Sequence, residues 1–186
     1  MKSQFVSVLI FLAALNTASA SDSLRCGDNV IADHQWPGRV LDVYKNGDAL
    51  VVTNYQTSPY LIQTSHLSRE ASCVDRFCKT DSVIFDRHSI GSILKIFENG
   101  DALVITSFQS FPYVTDISRL AKEAQCIQGI CKGDNILFNE KWEGTVIHIY
   151  KNGAAQVQTD FSSSPYITDA SRLSHSDSCQ NSQGCR

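Results

Sequence analysis

Three consecutive stretches of the chain repeat one pattern almost without insertion or deletion. Asp28, Asp81 and Asp134 stand 53 residues apart, and Gly38, Gly91 and Gly144 keep the same offset. Asn46-Gly47, Asn99-Gly100 and Asn152-Gly153 follow, and then Pro59-Tyr60, Pro112-Tyr113 and Pro165-Tyr166. A fixed period of this length means three copies of one small supersecondary unit, not one large core. Units of about fifty residues bury little apolar surface each, so they need staples or neighbours.

The cysteines are the expected staples. All seven, at 26, 73, 78, 126, 131, 179 and 185, bracket the repeats and do not sit inside them. Zinc is the competing reading of the close pairs, but it favours tighter spacings with partnered histidines. Here the five histidines, at 34, 66, 88, 148 and 175, occupy five different offsets within the repeat, so no two copies can build equivalent sites. No metal and no cofactor is expected. Two disulfide registers fit. One closes each repeat on itself, as Cys26 to Cys73, Cys78 to Cys126 and Cys131 to Cys179. The other staples the linkers, as Cys73 to Cys78, Cys126 to Cys131 and Cys179 to Cys185. The longer loops remove more unfolded-state entropy, about 4 kcal/mol against about 2 in the chain-entropy model. Small barrels also bring their ends together, and both arguments favour the repeat-closing register. Either register leaves one cysteine over, free or able to join two chains.

Residues 1–20 are a separate object. Lys2 precedes the apolar run Phe5 to Leu15, which is too short to span a bilayer, and Ala18-Ser19-Ala20 offers a small-x-small cleavage site. The expectation is a removable signal peptide, not a membrane anchor, and a secreted or periplasmic product. In such a compartment the cysteine framework reads as disulfides. The formal charge of -3 becomes one unit more negative once Lys2 leaves, and no basic run exists. Nucleic-acid binding, which wants a clustered positive face for phosphates, is therefore disfavoured.

Within each copy, Asp and an apolar pair (Val30-Ile31, Val83-Ile84, Ile136-Leu137) predict a short first strand. A polar loop leads to the recurring Gly and a second strand, Val40 to Tyr44 and its equivalents. Asn-Gly predicts a tight hairpin with positive φ at both residues. The third strand carries Ala, Val and Thr at alternate positions (49, 51 and 53 in the first copy), expected to face the interior. Its other face is Leu50 and Val52, then Leu103 and Ile105, but Gln156 and Gln158. That change fits an array whose last unit closes the end, or equally a face lying under a loop. Pro-Tyr opens a fourth extended segment. Thr64, Asp116 or Asp169 then caps one helical turn before a last stretch.

These motifs, Asp-x-Val, Gly-x-Val-x-x-Val-Tyr-x-Asn-Gly-x-Ala-x-Val, Pro-Tyr and Ser-x-Leu, resemble those of Tudor-type and related SH3-like barrels. The resemblance covers all three repeats and implies an all-β chain of three tandem small barrels, each with a short helical turn near its end. The units run over 21–77, 78–130 and 131–179, with a polar tail at 180–186. Such barrels are mostly binding modules, and fold-level likeness names no ligand.

Asp28, Asp81 and Asp134 read as turn formers, since Asp before a strand commonly binds its own backbone. No His-Glu-x-x-His, Gly-x-Ser-x-Gly or phosphate loop is present, so an enzyme is not expected. The aromatics are the better candidates: Tyr44, Phe97 and Tyr150 before the hairpin, Tyr55, Phe108 and Phe161 after it, and Trp36 and Trp142 in the first loop. By resemblance they imply a cage for a cation or a platform for a chain. Core packing is the competing role for Tyr44 and its equivalents. The second copy has no Trp in its first loop. The reading is a binding module for a protein, peptide or cell-envelope polymer. Its alternative is a structural or inhibitory spacer with no small-ligand site. Exposed aromatics repeated in two copies would favour the first.

Overall fold

The computed structural model describes residues 23–176, and they form an all-β chain. The expected signal peptide and the tail at 180–186 lie outside the described residues. Five strands make up the first repeat: β1 (Asn29–Ala32), β2 (Trp36–Val43), β3 (Asp48–Thr53), β4 (Tyr60–Gln63) and β5 (Leu67–Ala71). A two-residue-strand hairpin follows, β6 (Cys73–Val74) and β7 (Phe77–Cys78). The second repeat then runs through β8 (Ser82–Phe85), β9 (Ser89–Phe97), β10 (Asp101–Thr106), β11 (Tyr113–Asp116) and β12 (Leu120–Ala124). A second small hairpin is β13 (Cys126–Ile127) and β14 (Ile130–Cys131). The third repeat holds β15 (Asn135–Phe138), β16 (Trp142–Tyr150), β17 (Ala154–Thr159), β18 (Tyr166–Asp169) and β19 (Leu173–His175).

Inside a repeat all pairings are antiparallel, in the order β4-β3-β2-β1-β5, with the fourth and fifth strands unpaired to each other. Ala49, Val51 and Thr53 are buried, as are Ala102, Val104 and Thr106 and Ala155, Val157 and Thr159. Alternation therefore predicts the inner face correctly. The opposite face is half-buried in all three repeats, Gln156 and Gln158 included, so that face does not mark an end-closing unit. A one-residue bulge in the second strand of each repeat bends its outer half away. The recurring Gly lies on this strand where the third strand passes closest. A Cβ at Gly144 would stand 2.5 Å from the Gln158 carbonyl oxygen, and the Val52 and Ile105 carbonyls crowd Gly38 and Gly91 more tightly still.

The Asn-Gly hairpins differ from expectation in turn type. Only the glycine has positive φ, +90° at Gly47, +89° at Gly100 and +83° at Gly153. Gly47 N donates to Tyr44 O at 3.1 Å while Tyr44 N donates to Asp48 O at 2.8 Å. This is a three-residue turn ending in a glycine bulge, and Asn46 contributes its Oδ1 as acceptor for Asp48 N at 3.2 Å. The doubly left-handed turn lies one loop earlier, at Asp33-His34, Asp86-Arg87 and Asn139-Glu140.

Asp28, Asp81 and Asp134 each accept a backbone N–H three residues upstream, at 2.9, 2.7 and 2.8 Å, and are turn formers. Before each fifth strand comes one 3-10 turn, Thr64–His66, Ile117–Arg119 or Ala170–Arg172. Asp116 and Asp169 cap theirs through Ser118 N at 2.7 Å and Ser171 N at 3.0 Å. Thr64 does not cap its turn, and its hydroxyl donates to Gly47 O at 3.0 Å.

The repeat-closing disulfide register is overturned. Cys73 is bonded to Cys78 and Cys126 to Cys131, so neither Cys26–Cys73, Cys78–Cys126 nor Cys131–Cys179 exists. Each pair sits directly opposite across a linker hairpin, β6 with β7 and β13 with β14. Loop entropy favours the long loops, but geometry decides: each fifth strand runs back along its own first strand and then turns into a linker hairpin that sets its two cysteines opposite each other. Cys26 is an exposed free thiol whose Sγ lies 2.9 Å from Leu41 O. Cys179 and Cys185 lie outside the described residues.

The fifth strand instead continues into the next repeat. Glu70 and Ala71 pair with Phe97 and Ile96 of β9, and Glu123 and Ala124 pair with Tyr150 and Ile149 of β16. The repeats are thereby linked through one continuous strand ladder.

Candidate functional site

The aromatic candidates divide into two sets. Phe97 and Tyr150 are fully buried because the preceding repeat's last strand lies beside them, and they leave the candidate surface. Tyr150 packs with Ala154 against Ile84 and Ala121 of the second repeat, and burial pushes its hydroxyl up to about 12. Tyr44, the equivalent in the first repeat, is 43% exposed.

The loop aromatics stay outside. Trp36 stacks on Tyr55 with ring centroids 4.2 Å apart, and Trp142 meets Phe161 at 4.7 Å. Tyr55, Phe108 and Phe161 are exposed, and Trp142 is partly so. Each indole thus joins the aromatic that follows the hairpin and not the one that precedes it. Trp36 and Tyr55 are stacked at 27° and cover each other's faces, whereas Trp142 and Phe161 are tilted at 49° and Lys141 Nζ lies 4.6 Å over Trp142.

A cleft of about 500 Å³ opens between the second and third repeats. Phe108 forms one wall, and Pro165, Tyr166 and Ile167 form the other, with Ile90 and Gln156 also lining it. Tyr166 lies 6.1 Å from Phe161, so the aromatic wall runs on to the Trp142 pair. At the rim Arg87 donates to the Asp169 carboxylate. The Ser171 backbone N–H, its hydroxyl and Arg87 hold the Asp169 carboxyl below the ordinary range. Thr168, which also lines the cleft, has a buried hydroxyl with no hydrogen-bond partner. An apolar trough with aromatic walls and a few polar groups suits a chain that lays apolar units against rings.

Sequence reasoning missed Arg87, Tyr166, Asp169 and the exposed Phe111. The recurring Pro-Tyr was visible, but the cleft arises only where two repeats meet. Phe111 has Ser58 and Ser164 at the equivalent positions, so the repeat pattern carried no signal for it.

Among the described residues no helix is long and apolar enough to cross a membrane. The cysteines of both linker hairpins are bonded to each other and so are not metal ligands. No family model and no curated protein matches the chain.

Proposed function

We propose that this chain is an exported, non-enzymatic protein of three SH3-like units that binds a protein, a peptide or a cell-envelope polymer through its loop aromatics. The units are 21–77, 78–130 and 131–179. The strand order within each repeat, with a 3-10 turn before the last strand, supports the SH3-like reading. The linker disulfides support an oxidising compartment, the periplasm or the outside of the cell.

The observation that carries the binding role is the aromatic cleft. Phe108 is 77% exposed, which for a large apolar ring on a loop is a cost without a packing return. Across from it Tyr166, Phe161 and Trp142 extend the same kind of surface. The Trp36–Tyr55 platform repeats the arrangement in the first unit.

The test is capture by the immobilised protein from extracellular and envelope extracts, beside a Phe108→Ser/Phe161→Ser variant. Both side chains are exposed, so the fold should persist. A component retained by the wild type and lost by the variant supports the reading. Equal retention by both favours the spacer role, in which the units contact only each other and a host protein.

A further inference from the structure

In the second and third repeats the outer half of the long second strand is covered by the repeat before it. Glu98 N donates to Arg69 O and Lys151 N to Lys122 O, both at 2.9 Å, and Phe97 and Tyr150 lose all exposure. The first repeat has the same bulged strand, with Asp42-Val43-Tyr44-Lys45 in the places of Lys95 to Glu98 and His148 to Lys151. Among the described residues no strand pairs with it on that side. Leu61 is 62% exposed, whereas its equivalents Val114 and Ile167 are half-buried. Tyr44, Lys45, Asp48 and Leu61 line a shallow cleft of about 300 Å³. The Val43 amide, level with Ile96 and Ile149 in the two ladders, bonds to its neighbour's Asp42 Oδ1 at 2.9 Å.

The charges say what this edge accepts. At both internal joints the arriving strand brings a glutamate and the receiving repeat supplies two basic side chains. Glu70 is met by Lys79 and Lys95, and Glu123 by Lys132 and His148. One residue earlier on the arriving strand, Arg69 meets Glu98 at 3.0 Å. The first repeat inverts the part of this code that meets the glutamate, while its Lys45 differs from Glu98 but matches Lys151 of the third repeat. Cys26 stands where Lys79 and Lys132 stand, Asp42 replaces Lys95 and His148, and Lys45 replaces Glu98. An arriving glutamate would face the Asp42 carboxylate in the place of Lys95 or His148.

We propose that the outer edge of β2 receives an extended strand of a partner protein, added antiparallel as β5 is added to β9. That strand carries Lys or Arg where Glu70 would be, against Asp42 and beside the Tyr44 ring. Asp or Glu precedes it, opposite Lys45. Main-chain pairing with side-chain selection is the physics of strand addition to a sheet edge, and the inverted charges exclude strands of the internal type. A second copy fits poorly. Its third repeat offers Ser176 at the Glu70 position. It also offers Glu140 where His34 contacts Asp101 at 2.8 Å, and so sets Glu140 against Asp48, the equivalent of Asp101. None of the residues of this edge lines the aromatic cleft, so the two surfaces are tested separately.

The experiment uses two synthetic peptides and the Cys26→Ser protein, which removes thiol coupling. One peptide has the sequence of residues 64–72, and the other is the same with Arg69→Glu and Glu70→Lys. Amide shifts are followed during titration. The charge-exchanged peptide should move the signals of Asp42 to Lys45 and Leu61, and bind roughly five-fold tighter than the unmodified one. Asp42→Lys should reverse that preference, and Tyr44→Ser should remove binding. Equal binding of both peptides, shifts confined to other residues, or no binding of either at millimolar concentration would overturn the proposal. Self-association of the free protein that Tyr44→Ser abolishes would overturn it too, by assigning the edge to a second copy.

Discussion

Gly91 has no room for a methyl group. The Ile105 carbonyl already occupies the place a Cβ would take, and the obstacle is backbone, which cannot swing aside as a side chain can. Gly91→Ala should therefore cost about 2 kcal/mol of stability, by analogy with overpacked interiors, read from denaturant midpoints. Gly100 is constrained differently. Its neighbours leave space, with Ile117 Cγ1 3.7 Å away, but its φ of +89° is unfavourable for any side chain. Gly100→Ala should cost about 1 kcal/mol, and Asn99→Ala less, because Asn99 supplies side-chain hydrogen bonds to the Asp101 amide and carboxylate and not a left-handed residue. Equal costs at 99 and 100 would instead point to a turn with positive φ at both. The sequence displays these glycines as invariants of the repeat. It does not display why, because one reason is a cross-strand approach and the other a turn type, and both depend on register.

The linker hairpins and the fifth strands belong to the scale of elements. A bridge between cysteines five apart in sequence closes a short loop, so replacing Cys73 and Cys78 by Ser should cost about 2 kcal/mol in the chain-entropy model. Peptide mapping without reduction should recover Cys73 with Cys78 and Cys126 with Cys131. Recovery of Cys78 with Cys126 would contradict the fold. The glutamates of the fifth strands make the joints sensitive to acid. Burial raises the Glu70 carboxyl, but Lys79 and Lys95 together outweigh it and leave it below its ordinary value of 4.5. A carboxyl lowered by folding stabilises the protein above its unfolded pKa, and that contribution is lost as pH falls through the folded one. The Tm gap between wild type and Glu70→Gln should be widest near neutrality and close as the pH drops below 4.5. A gap independent of pH would show that the charge of Glu70 contributes nothing. Strands and hairpins were legible here, since period-two alternation and Asn-Gly are local signals. The joints were not, because a pairing such as Glu70 with Phe97 has no local signature.

At the scale of the whole molecule, repeats of one pattern acquire different surfaces from their place in the chain. Tyr44, Phe97 and Tyr150 are equivalent in sequence, yet two are sealed in joints and one faces solvent. The same placement turns Phe108 and Tyr166, ordinary members of their own repeats, into the walls of one cleft. Half of the candidate site could thus be read from the sequence: Trp36, Tyr55, Trp142 and Phe161 stand out as loop aromatics at shared offsets, although nothing local says that each indole joins the ring after the hairpin and not the one before it. The other half, the cleft, needed the orientation of one repeat on the next. The proposed binding surface requires that the loop aromatics face solvent and are not core. The chain has two tryptophans, which makes the test direct. Iodide quenching of fluorescence in the Trp36→Phe and Trp142→Phe variants reads each indole separately. Iodide should reach both in the free protein, Trp142 at 39% exposure more readily than half-buried Trp36. Indoles that iodide does not reach would contradict this expectation and return both residues to the core.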